Sequence, residues 1–311
     1  ADIYGMNKNQ IVVGNGAAEL LYAICRLPGY TGAFVPAPGF SEYKAALEAS
    51  RIPVRDIYYR PREDEHGKPY FEVPYLALET FAAELKGQDG RIIVFLGNPN
   101  NPDGTLLDKN HIRTIASMLK DANSLLVIDE SFIDFVGNDT LQDNEYSMRS
   151  LVNEFDNIIV VHSFTKFYAV PGLRIGAAFS NPLIIEQLNS FIPTWSVNTL
   201  AQSYTEAALN DVEYVKRTKQ VLHEEQLFMY NSLDTIDGIT VYPPSANFML
   251  FHIEQEGITA ESINEALKKY NMIVRNCDSY MGLNNQWVRV AIKDHDTNVK
   301  LVEKLTDILK V

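Results

Sequence analysis

Short apolar, β-branched runs alternate with helix-length amphipathic segments over the first two-thirds of the chain, which predicts an α/β fold with a large domain on a mostly parallel central sheet flanked by helices. Two further observations refine the class. The apolar runs are continuous, as expected of central strands covered on both faces. From about residue 198 the texture changes to long helix and then to short strands, which predicts a smaller C-terminal α+β domain. The boundary is placed inside the helical region, giving residues 1–208 and 209–311.

Taken in order, "VVGNGAAELLYAI" runs from an apolar pair through Gly14-Asn15-Gly16 into a helix expected from Ala17. "GAFVP", "RIIVFLG", "SLLVIDES" and "NIIVVHS" read as strands, the second and third centred on residues 91–96 and 125–128. Between these two, "DKNHIRTIASMLK" puts Ile112, Ile115, Met118 and Leu119 on one helix face. The stretch from 198 to 236 lacks proline and glycine and reads as one long helix. Strand and helix then alternate through "ITVYPPSANFMLFHI", "ESINEALKKYNMIV" and "QWVRVAI", closed by the helix "NVKLVEKLTDILK".

Composition excludes several functions. With 40 acidic against 27 basic residues and a net charge of -13, a nucleic-acid surface or an anionic membrane is a poor partner. Any bound anion needs a local site. Cys25 and Cys277 are too few and too far apart for a disulfide framework or a metal cluster, and read as core thiols of a reducing compartment. The six histidines show no ligand spacing, so no metal is assigned. No apolar segment approaches the length of a bilayer span and the first residues lack signal-peptide character, so a cytoplasmic protein is expected. The Asn-x-Thr match at Asn138 then carries no information.

Four stretches depart from what a sheet and its helices need, each at the end of a predicted strand, where parallel α/β sheets place ligands. Gly14-Asn15-Gly16 frees the first helical N–H groups for an anion, although a glycine turn alone has the same pattern. In "FLGNPNNPDGTL", Pro99 and Pro102 restrict Asn98 and Asn101 and aim an amide in one direction. In "LLVIDESFIDF", Asp129 and Glu130 end an apolar strand, where a carboxylate is costly to bury, and a cation is expected to face Asp129. In "HSFTKFYAVPGLRIG", Lys166 follows a strand with Ser163 and Thr165 beside it and Arg174 beyond. A desolvated lysine can act as a nucleophile, and hydroxyls with an arginine fork suit a phosphate. Read alone, Lys166 is a snorkelling surface residue. Together the four supply a lysine, an acid for a pyridinium nitrogen, an amide donor and a phosphate cradle, the set that pyridoxal 5'-phosphate requires.

The ordered motifs "NPNNPDG", "DESFIDF" and "SFTKFYAVPGLRIG" resemble fold-type I pyridoxal-phosphate enzymes of the class I and II aminotransferase group, and the resemblance extends over almost the whole chain. It implies an aspartate aminotransferase-like fold and a homodimer. Carried over by position, it implies that Lys166 bonds the cofactor, that Asp129 partners the pyridine nitrogen, and that Asn101 donates to the 3-hydroxyl. Ser163, Thr165 and Arg174, with the backbone of Gly16 and Ala17, match the phosphate cup, and Phe40 in "PAPGFSEY" matches the stacking ring. Arg289 matches the arginine for the substrate α-carboxylate, and Arg275 resembles a second anion contact of members acting on phosphorylated amino compounds; Asn101 is expected to touch substrate as well.

Within the group, "PGFSEY", "DESFIDF" and "KFYAVPGLR" look most like threonine-phosphate decarboxylases of cobalamin biosynthesis, with histidinol-phosphate aminotransferases as close relatives. The latter usually carry tyrosine where Phe132 stands, and phenylalanine cannot bond the 3-hydroxyl. The resemblance also implies an arm of some tens of residues before the first strand, with a tyrosine for the neighbouring subunit; the thirteen residues before Gly14 hold no match for it. The expected activity is that of an enzyme on a small phosphorylated amino acid, either carboxy-lyase or transaminase. Two other readings stand beside it: a cofactor-retaining binding module, and a generic nucleotide-binding α/β protein that leaves Lys166 unexplained.

Overall fold

The computed structural model describes residues 1–87, 90–137, 141 and 144–309, and Asn138 of the sequon lies outside them. In chain order the strands of the large sheet and its hairpin are β1 (Ile11–Gly14), β2 (Tyr30–Ala37), β3 (Val54–Tyr58), β4 (Arg60–Glu63), β5 (Pro69–Glu72), β6 (Arg91–Gly97), β7 (Leu125–Asp129), β8 (Ile158–Ser163) and β9 (Gly176–Phe179). Seven of these form one sheet in the order β1-β9-β8-β7-β6-β2-β3. Strands β3, β2, β6, β7 and β8 are parallel to their neighbours in that row, and β9 runs antiparallel to both β8 and β1. The predicted mostly parallel sheet is present.

Alternation along the strands explains their unbroken apolar character. Ile92, Val94 and Leu96 face one apolar cluster and Ile93 and Phe95 the other, so both faces of β6 are covered. Helix α1 (Gly16–Ile24) and α2 (Glu42–Ala49) lie on the second face; α3 (Tyr75–Glu84) and α4 (Lys109–Asp121) lie on the first. Ile112, Ile115 and Leu119 of α4 are buried as its periodicity requires, while Met118 is only partly covered. Asp108 caps α4, accepting from the N–H groups of Asn110 and His111 at 2.9 Å each.

Two expectations are corrected, and three strands had no signal in the sequence. Helix α1 begins at Gly16, one residue before Ala17. Strand β9 and the hairpin β4–β5 carry no apolar β-branched run to announce them: "GAAF" is nearly all small residues. The stretch from 198 to 236 is two helices, not one. After the four-residue α5 (Phe164–Phe167) and α6 (Pro182–Phe191) come α7 (Thr199–Leu209) and α8 (Val212–Leu233), broken at Asn210-Asp211. Asp211 caps α8 by accepting from Tyr214 N–H at 2.9 Å, which offsets the bonds lost at the break.

Beyond α8, strands β10 (Ile239–Val241), β11 (Phe248–Ile253), β12 (Arg275–Asn276) and β13 (Trp287–Ala291) form an antiparallel sheet in the order β10-β11-β13-β12. Helices α9 (Ala260–Lys268) and α10 (His295–Leu309) cover it through Ile263, Leu267, Leu301 and Leu305. Helix α8 serves both parts, giving Val215 to the large core and Leu222, Met229 and Leu233 to the smaller one. Cys25 and Cys277 are free and buried, their thiols pushed up to about 12 and about 11 by burial. Among the described residues, no helix is long and apolar enough to cross a membrane.

Candidate active site

Four of the singled-out residues, Phe40, Asn101, Asp129 and Lys166, line one small cavity at the carboxyl ends of the parallel strands, together with Tyr43, Pro99, Ser131 and Phe132. Asp129 is the last residue of β7, and Lys166 sits on α5 directly after β8, so the pairing of β7 with β8 sets both side chains at one sheet end. Lys166 is not a surface residue. Burial pulls its ammonium below the ordinary lysine value; the Asp129 carboxylate partly offsets this, and the Arg174 charge lowers it further. The amine lies 4.6 Å from the centre of the Phe132 ring.

The cation expected opposite Asp129 is not in ion-pair contact with it among the described residues. Both carboxylate oxygens are instead held by neutral donors: Tyr43 Oη donates to Oδ2 at 2.9 Å, and Ser131 N–H donates to Oδ1 at 2.9 Å. Tyr43 is buried, stacked on Phe95 at 5.3 Å, and meets Phe40 edge to face at 5.7 Å. Burial raises its phenol well above the ordinary value, with the Asp129 charge adding to the shift, so it remains a donor. Sequence reasoning missed Tyr43. The one available signal was a tyrosine on the apolar face of α2, where a buried hydroxyl needs a partner. Tyr43→Phe should keep the packing and cost about 1.5–3 kcal/mol of stability, the range for a bond to a charged group, as read by urea unfolding.

Glu130 points the other way. It is fully buried, accepting from Ser147 Oγ at 2.6 Å, Met148 N–H at 2.5 Å and Asn98 Nδ2 at 3.1 Å. Of the two Asn-Pro pairs, Asn98 therefore braces the loop, and Asn101 faces the cavity. Asn101 Oδ1 accepts from Tyr280 Oη at 3.1 Å and from Arg289 Nη1. Its amide nitrogen makes no hydrogen bond among the described residues.

The cup residues also converge. Ser163 Oγ and Thr165 Oγ1 are 2.8 Å apart and buried. Gly16 has φ +80°, and a Cβ there would fall onto the Arg174 guanidinium; at Gly176 a Cβ would meet Ala17 N at 2.7 Å and His162 O at 2.8 Å. These two bare backbones let the start of α1 approach the end of β8 and lie against Arg174. Gly16→Ala should destabilise by about 1 kcal/mol or more through its positive φ. It should also weaken phosphate binding about tenfold by displacing Arg174, measured by isothermal titration of the cofactor.

Arg275 and Arg289 stand directly opposite each other across β12 and β13. Two like charges in that relation repel, and neither is in an ion pair among the described residues. Arg275 donates to Ser279 Oγ at 2.9 Å, and both arginines line a cavity of about 830 Å³ with Phe132, Asn247, Phe248 and Asn276.

A partly buried amine lining one cavity with a carboxylate, a hydroxyl pair, and a glycine whose missing Cβ leaves room for the Arg174 guanidinium fit pyridoxal 5'-phosphate. The fold and this arrangement define the class as a pyridoxal-phosphate-dependent enzyme. Residues 1–305 match the family aminotransferase class I and II, and the chain belongs to it. It is 32% identical over 98% of its length to the adenosylcobalamin biosynthesis bifunctional protein CobDQ of Leptospira interrogans, spanning 33% of that protein. It is also 32% identical over 96% of its length to the threonine-phosphate decarboxylase of Salmonella typhimurium, covering 77% of it. The histidinol-phosphate aminotransferase structure from Clostridium acetobutylicum superposes with a TM-score of 0.85 at 26% identity, over 97% of this chain and 84% of that one.

Proposed function

We propose that this enzyme decarboxylates a small phosphorylated amino acid, with threonine phosphate as the substrate that its likeness to a threonine-phosphate decarboxylase favours. The observation that carries the reading is the Arg275–Arg289 couple beside the Lys166 cavity, which has no ion-pair partner among the described residues: it suits a ligand with two anionic groups, a carboxylate and a phosphate. When bound, pyridoxal phosphate supplies an electron sink for a bond breaking at the substrate α-carbon.

The chain's own residues do the rest. Ser163, Thr165, Arg174 and the Gly16 and Ala17 amides would hold the cofactor phosphate, Phe40 its ring face, Asn101 its 3-hydroxyl and Asp129 its ring nitrogen. Asp129, fixed through both oxygens, keeps a negative charge where the nitrogen must stay protonated. Lys166, with its amine held below the ordinary lysine value, moves the proton at the α-carbon. Arg289 would engage the carboxylate and Arg275 the phosphate. Asn101 Oδ1 accepts from Arg289 and so orients it.

A cytoplasmic homodimer divided near residue 208 accompanies this reading; a second apolar cluster, drawn from residues between Leu222 and Leu309, supports a C-terminal unit, while Val215 of α8 packs in the larger core. The second reading, transamination of histidinol phosphate, is favoured by the likeness to the Clostridium structure. Incubation with threonine phosphate should release carbon dioxide, whereas histidinol phosphate with 2-oxoglutarate should yield little glutamate. Glutamate without carbon dioxide would overturn the choice.

A further inference from the structure

Phe132 is the residue common to the linings of the small cavity around Lys166 and the larger cavity around Arg275 and Arg289. Its ring lies under Lys166 Nζ at 4.6 Å and meets the Phe248 ring edge to face at 5.0 Å and 79°. Phe248 in turn lies 5.2 Å from Arg289 Cζ. The base and the carboxylate-seeking arginine thus stand at opposite ends of a wall of two hydrocarbon rings. Neither ring carries a hydrogen-bond donor; elsewhere the lining of the larger cavity combines donors, from three asparagines, a serine and the two arginines, with Asp278 and the apolar Ile273, Val274 and Ala291.

We propose that Phe132, backed by Phe248, is the specificity-determining residue of this site: it presents the substrate carboxylate with a face that has no donor, and so favours loss of carbon dioxide over loss of the α-proton. The inference rests on the decarboxylase reading above. In decarboxylation the bond between the α-carbon and the carboxyl carbon breaks, its electron pair stays at the α-carbon, and carbon dioxide departs. A proton from the Lys166 ammonium then fills the vacated position, so one proton is consumed per carbon dioxide formed. Negative charge leaves the carboxylate during this step, and the product is apolar. A donor that stabilises the carboxylate before the bond breaks therefore raises the barrier, and ring carbon does not. Proton abstraction leaves the carboxylate charge in place and gains nothing from the dry face. A carboxylate engaged by Arg289 would have one cationic partner on one side and ring carbon on the other.

The test uses Phe132→Tyr, which adds a hydroxyl, and Phe132→Leu, which keeps the surface apolar without the ring. Each holoenzyme is supplied with threonine phosphate and 2-oxoglutarate, and the ratio of carbon dioxide to glutamate is measured. Phe132→Tyr should lower that ratio about tenfold, the effect of one hydrogen bond of about 1.4 kcal/mol. Phe132→Leu should hold it within about twofold, since no hydrogen bond is gained. A second readout needs no turnover: acetic anhydride labelling of Lys166 in cofactor-free protein, followed against pH. The tyrosine oxygen would give the amine a partner and move the labelling midpoint upward, and leucine would not. An unchanged ratio in Phe132→Tyr overturns the proposal, as does an equal shift in both variants. Wild-type protein that makes no carbon dioxide overturns the decarboxylase reading itself, so the two failures are separable.

Discussion

Lys166→Met should abolish turnover, by on the order of 10⁴-fold or more, while leaving the protein folded. Methionine matches the reach of the side chain but has no amine to bond the cofactor or carry the α-proton. Burial holds the Lys166 pKa below its ordinary 10.5, so between the folded value and 10.5 the unfolded chain binds a proton that the folded chain does not. Stability therefore rises with pH across that window in the wild type, and below the folded value the buried charge is a standing cost. The variant loses this dependence and should melt no lower than wild type at pH 7. Assays with cofactor, together with thermal melts at several pH values, check both parts. A folded variant with wild-type turnover would remove Lys166 from the mechanism.

Asp129→Asn should have the second-largest effect, a loss of about 10²–10⁴-fold in kcat. The amide keeps an oxygen that can accept from Tyr43 or Ser131, so the fold should persist, but the charge is gone. With it goes the Coulombic support of the Lys166 ammonium, and the lysine pKa should fall further, seen as acetic anhydride labelling that begins at lower pH in the cofactor-free variant. An unshifted labelling profile would mean that burial alone governs the lysine.

What could be read in the sequence follows from where the physics is local. The apolar runs of β6, β7 and β8 announce themselves because strands covered on both faces need no polar positions. The ordered motifs placed Lys166, Asp129 and Asn101, and the fold brings all three to one cavity with Phe40. The supporting contacts were not legible. Tyr43 reaches Asp129 across 86 positions of chain, and Tyr280 reaches Asn101 across 179, distances over which no periodicity speaks. Strand β9 was missed because three of its four residues are small, and at Gly176 the approach of α1 leaves no room for a side chain. The break at Asn210-Asp211 carries neither glycine nor proline, and only the cap on Tyr214 N–H reveals it.

The split between α7 and α8 bears on how freely the parts of this enzyme could be exchanged. Tyr214 Oη of α8 donates to the Phe167 carbonyl at 2.7 Å, and Tyr204 Oη of α7 donates to the Tyr168 carbonyl at 3.3 Å. Both hydroxyls thus fasten the outgoing end of the single helical turn that bears Lys166. Helix α8 then continues into the smaller core through Leu222, Met229 and Leu233. A hybrid enzyme joined after α8 would inherit these tethers intact, whereas one joined between α7 and α8 would pair its catalytic turn with a foreign anchor. Modularity here ends at the tyrosines and not at the sheet.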